Sequence, residues 1–152
     1  MDIKLQDAFW SWALKRYESA LLRDCLLDLQ ASNDLVVVEA MFVAWLAERG
    51  RQLSLNEATK IEQAIAPWVE NVLLPIRRQR VKWSGSEESK VLRSEALRLE
   101  LEAEQILAKL LCNALSSPYE GSAQISCRSN LVFINALASS HDLDRLTAAF
   151  EQ

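Results

Sequence analysis

From Leu35 to Ala47 every residue except Glu39 is apolar. A helix built from this stretch is hydrophobic on nearly all sides, so no single neighbour can cover it. It is also well short of the about 20 apolar residues that a membrane span requires. What remains is a central helix wrapped by other helices. The rest of the chain agrees, with only three glycines and three prolines in 152 residues and abundant Leu, Ala, Glu and Arg, all good helix formers. The length suits one domain able to bury about 70% of the surface its unfolded chain exposes. These features predict an all-α, single-domain bundle of about seven helices spanning 1–152.

Phe9, Trp10, Ala13 and Leu14 recur at helical spacing and predict a first helix over about residues 5–16. Leu21, Leu22, Cys25, Leu26 and Leu29 form a wide apolar stripe over 18–30. A turn at 31–34 follows, in which Asn33 or Asp34 can cap the apolar helix. Gly50 is the natural stop for that helix. Ser54 and Glu57 make a capping box for a helix to about Ile65. Pro67 suits the first turn of another, which Pro75 should kink or break.

After the loop at Ser84-Gly85-Ser86, one long helix is expected over 87–115, about 43 Å at the α-helical rise. Leu92, Ala96, Leu99, Ala103, Ile106 and Leu110 keep the alternating spacing of a heptad seam. Leu97, Leu101, Ala108 and Leu111 add a second row, favouring a helix embedded in a bundle. The stretch 116–126, with Pro118 and Gly121, is the least regular. Two short helices near 129–138 and 142–150 close the chain.

Lys and Arg number 17 against 21 Asp and Glu, a net charge of −4, so strong nucleic-acid binding is not expected. The chain opens on a helical pattern without the features of a secretory signal. Three cysteines, odd in number and without metal-ligand spacing, point to reduced thiols and a cytoplasmic protein. One histidine, His141, leaves little to build a metal cluster or a Ser-His-Asp triad, and zinc, P-loop and Rossmann fingerprints are missing. No catalytic residue, metal ligand or cofactor is assigned. Asp24 and Asp28 match the D-x-x-x-D spacing of diphosphate-binding helices, but ordinary exposed acids have the same pattern.

Phe9-Trp10, Trp12-Ala13-Leu14, Tyr17, Cys25-Leu26 and Leu29-Gln30 carry a resemblance to a known group. Trp45-Leu46-Ala47, Trp68, Pro75-Ile76-Arg77 with Arg80, and Glu100-Leu101 with Ala103-Glu104 extend it. Over about residues 9–115 the chain resembles a small proteobacterial family of uncharacterised helical proteins, a domain of unknown function. The resemblance implies a compact helical fold and brings no activity. The family pattern has an acidic residue after the glutamine, then a glycine and an asparagine, where this chain has Ala31, Asp34 and Val38.

The candidate binding residues are Trp10, Trp12, Gln30, Glu39, Arg77, Arg78 and Arg80. Trp10 and Trp12 lie about 200° apart around one helix and cannot share a face. The basic cluster could hold phosphates with Trp83 stacking on a base, or be a solvated helix end paired with Glu100, Glu102 and Glu104. Glu39 must be paired, protonated or aimed at a cavity; an ion pair with an arginine, or a solvent-facing seam, is the simpler expectation. Two functions follow. One is a non-catalytic protein acting through a protein partner, docking by its aromatic first helix or basic helix end. The other is a binder of a small apolar or anionic ligand near Glu39 and the Arg77–Arg80 cluster.

Overall fold

The computed structural model describes residues 3–115 and 123–152. Helix α1 (Ile3–Arg16) closes on Lys15 and Arg16, cations placed at the negative end of the helix dipole. Ser19 caps α2 (Ala20–Asn33), its hydroxyl accepting from the Leu22 N–H. Asp34 takes φ 55° and ends α2, returning its N–H to Leu29 O. A left-handed residue that closes one helix cannot also cap the next. Helix α3 (Val37–Glu48) accordingly starts at Val36 without a side-chain cap, against the expectation for Asn33 or Asp34. Asn33 instead donates to Ala136 O at 2.9 Å and Asp142 Oδ2 at 3.0 Å, tying α2 to the C-terminal segment.

Helix α3 is the centre of the bundle, buried from Ala40 through Ala47. Gly50, at φ 82°, stops it as expected. The Gly50 N–H returns to Ala47 O and the Arg51 N–H to Leu46 O, satisfying two terminal carbonyls. The Ser54–Glu57 capping box starts α4 (Leu55–Trp68).

Pro67 does not begin a new helix: α4 runs through it. A π-helical turn over Val69–Leu73 then leads directly into α5 (Leu74–Lys82). Pro75 has no N–H to return to Asn71. The chain changes register just before it, with the Leu74 N–H bonding Val69 O, so the expected break is a π turn within one continuous helix.

The long helix α6 (Lys90–Asn113) folds back against α5. Its buried seam differs from the expected one. Ala96, Glu100, Ala103, Leu107 and Leu111 face the core, whereas Leu92, Leu99 and Ile106 are 49%, 42% and 43% exposed. The heptad spacing is real, but the core row is turned so that Glu100 occupies a central position. A pattern read by hydrophobicity alone skips that residue.

Helix α7 (Arg128–Leu131) is a single turn, followed by a 3₁₀ turn at Asn135–Leu137 and by α8 (Ser140–Phe150). The expected helix over 129–138 is thus two short turns. Pro118 and Gly121 lie outside the described residues. Fully buried Asn130 holds this end in place: its amide donates to Val43 O and Arg51 O and accepts from the Leu53 N–H, at 2.9–3.0 Å. Cys25, Cys112 and Cys127 are buried, and no disulfide is found among the described residues. Among the described residues there is no strand, and no helix is long and apolar enough to cross a membrane.

Candidate functional site

Between α1, α2, α3 and α6 lies a half-open cleft of about 380 Å³. The walls are apolar: Ala13 and Leu14 from α1, Leu27 from α2, Met41 from α3, Leu97 and Leu101 from α6. Into it reach Trp10, Tyr17, Gln30, Arg80, Glu100 and Glu104. The size and the ratio of apolar wall to a few placed polar groups are those of small-molecule sites. Three of the sequence candidates, Trp10, Gln30 and Arg80, meet here, although they come from three different helices.

The ionic end of the cleft is built on Glu100. Arg77 Nε donates to Glu100 Oε2 at 3.0 Å, and Arg80 Nε to Glu100 Oε1 at 2.5 Å. Both Arg77 and Glu100 are buried. The basic cluster is therefore engaged by one acid of the run expected to face it, and the loss of solvation on both sides is offset only while the pair is intact. Arg78 is exposed and takes no part.

Glu104 lies one turn beyond Glu100 on the same face of α6. It makes no hydrogen bond or ion pair among the described residues. Burial, then the Glu100 charge, push its carboxyl up to about 7, against the opposing pull of Arg77 and Arg80. Burial, reinforced by Glu104, also raises the Tyr17 hydroxyl. The side-chain polar groups of Tyr17, Gln30 and Trp10 likewise have no hydrogen-bond partner among the described residues.

The remaining candidates sit elsewhere. Trp12 points away from Trp10: it stacks on Phe9, donates Nε1–H to Glu48 Oε2 at 3.0 Å and lies beside the Arg16 guanidinium. Glu39 lines a second cavity of about 400 Å³ with Glu62, Asp34 and Asn135. Glu39 and Arg80, expected to share a pocket, line different cavities among the described residues. Successive residues of α3 are turned by about 100°; Val38 and Met41 face the cleft, which leaves Glu39 facing away from it. Nor does Glu39 find an arginine. Among the described residues it has no ion pair, and burial together with the Glu62 charge raises it to about 7. Asp24 and Asp28 are exposed, the latter bound to Arg145 at 2.7 Å.

The sequence profile of the family described as "Protein of unknown function (DUF2390)" matches residues 8–111. The chain belongs to the DUF2390 family. All the residues of the cleft, from Trp10 to Glu104, lie inside the DUF2390 segment, whereas Asn130, α7 and α8 lie beyond it. No curated protein and no solved structure matches the chain.

Sequence reasoning missed Tyr17 and Glu104 as site residues. Tyr17 follows the last turn of α1, and its distance from α6 in sequence hides their proximity. Glu104 was legible only as part of an acidic run. The useful signal was its spacing: Glu100 and Glu104, four apart, share one helix face with Leu97 and Leu101.

Proposed function

We propose that this protein is a non-catalytic binder of a small, predominantly apolar molecule, held in the cleft between α1, α2, α3 and α6. The observation that carries the reading is the convergence of the Tyr17, Gln30 and Glu104 side chains, without hydrogen-bond partners among the described residues, on a largely apolar half-open cavity. Polar groups left in such a setting supply orientation and specificity to a bound molecule. We infer a cytoplasmic protein, a reading supported by three buried cysteines with no disulfide among the described residues.

Titration with Nile red, an apolar dye whose emission rises in apolar surroundings, tests this reading. Leu97→Trp puts a larger side chain on the rim. The expected result is an affinity about tenfold weaker than that of the unaltered chain, with helical content and urea midpoint unchanged. Equal binding by both proteins, or none by either, would overturn the reading.

A second reading, contact with a protein, has its own observation. Leu92, Leu99 and Ile106 repeat every seventh residue along the outer face of α6 and are exposed. Such a row suits the same helix of a second copy. Sedimentation of a dimer that Leu99→Glu dissociates would support it, and a monomer at high protein concentration would dismiss it.

A further inference from the structure

The charged groups of the cleft give its ligand a sign, an inference that rests on the small-molecule reading above. Three ionisable side chains other than Tyr17 line the cavity: Arg80, Glu100 and Glu104. Arg80 spends Nε and a terminal nitrogen on Glu100, and Arg77 approaches the same carboxylate from behind. Glu100 is thereby shared by two guanidinium groups, and Glu104, whose ionised form would bring this set of four to zero net charge, is among the described residues the cleft carboxyl with no cation bonded to it. From α2 and α3 the cleft receives only uncharged side chains, among them Gln30 and Met41. An entering anion would meet the Glu104 carboxyl, while Arg77 Nε and two Arg80 nitrogens are already turned to Glu100. An entering cation would meet a carboxyl with no hydrogen-bonded cation among the described residues, the Gln30 carbonyl, the Tyr17 oxygen and the aromatic walls of Trp10 and Tyr17.

We propose that the cleft binds a protonated alkylamine, with Glu104 as its counter-ion, Trp10 and Tyr17 beside the ammonium and Leu97 and Leu101 against the alkyl body. An ammonium has three donors and no acceptor, which suits a set dominated by acceptors. Aromatic walls add attraction for a desolvated cation. Burial of the pair within the cleft protects it from screening by salt. Uptake of the cation also draws the proton from Glu104. Burial, then the Glu100 charge from α6, hold this carboxyl at about 7 against the pull of Arg77 and Arg80 from α5, with Tyr17 beyond α1 also facing it. Binding near neutral pH is therefore accompanied by proton release.

Calorimetric titration with n-octylammonium, n-octanol and octanoate near pH 7 tests the proposal, run in two non-amine buffers of different ionisation heat. The expected order is octylammonium tightest, by about tenfold over octanol, with octanoate weakest, and proton release with octylammonium alone. Glu104→Gln should bring the preference for octylammonium over octanol below about threefold and abolish the proton release. Glu102→Gln, on the exposed face and bonded to Arg98, should keep both. If octanol binds as tightly as octylammonium, or Glu104→Gln keeps the preference, the amine assignment fails while the cleft reading stands. If none of the three probes binds, both fail.

Discussion

Replacing Glu39 with glutamine should stabilise this protein, and should do so only above about pH 5. Glutamine keeps the shape of the side chain and removes its charge. In the folded protein the carboxyl holds its proton up to about 7, against 4.5 for an ordinary glutamate, because burial and the Glu62 charge both oppose ionisation. The unfolded chain gives up that proton near the ordinary value. Between the two values the folded state binds more protons than the unfolded one, so stability falls as pH rises through that window. One unit of difference corresponds to about 1.4 kcal/mol. The cost of Glu39 to the fold therefore grows from under about 1 kcal/mol at about pH 5 to about 3 kcal/mol at about pH 8. Urea denaturation of both proteins, followed by far-ultraviolet circular dichroism across this pH range, reads the difference directly. Glu104 gives the same direction of pH dependence in both proteins, so the comparison isolates Glu39. Glu62→Gln should recover part of the same stabilisation, since burial is the larger cause and the Glu62 charge the smaller. A midpoint for Glu39→Gln that is lower at about pH 8, or displaced equally at both pH values, would refute the reasoning by showing that the carboxylate has a structural partner.

Glu100→Gln should destabilise by about 3–5 kcal/mol in the same denaturation assay, because it strands the Arg77 and Arg80 charges in the buried seam; Glu102→Gln, on the exposed side of α6, should be nearly neutral. Asn130→Ala should cost at least about 3 kcal/mol, since it leaves the Leu53 N–H and the Val43 and Arg51 carbonyls without their side-chain partner. Gly50→Ala and Gly85→Ala form a matched pair at φ 82° and φ 90°. Both bear the left-handed penalty of about 1–2 kcal/mol, but the added carbon at position 50 also collides with the Ala123 carbonyl, while that at position 85 meets open space. The thermal midpoint should therefore fall further for Gly50→Ala.

The features that the sequence by itself determined are those decided within a turn or two of chain. The apolar stretch ending at Ala47 dictates a central helix because no other element can hide an all-round hydrophobic surface. Gly50 must end that helix and the Ser54–Glu57 box must start the next, since both act through backbone groups three to five residues away. The opposed directions of Trp10 and Trp12 follow from helical geometry alone.

Only the tertiary structure decided the rest, wherever the deciding partner is remote in sequence. Whether Asp34 caps α3 or closes α2 depends on where Asn33 is needed, and it is needed 103 residues away at Ala136. Which row of α6 faces inward depends on Arg77 and Arg80 of α5, because two guanidinium groups make a buried Glu100 tolerable and turn Leu92, Leu99 and Ile106 outward. Glu39 was recognisable as anomalous, but not as lacking an ion pair among the described residues, for no local rule says whether an arginine will reach it. The cleft is the clearest case. Trp10, Gln30 and Glu104 are ordinary residues on three amphipathic helices, and they become a site only because packing around α3 leaves their side chains facing one unfilled space.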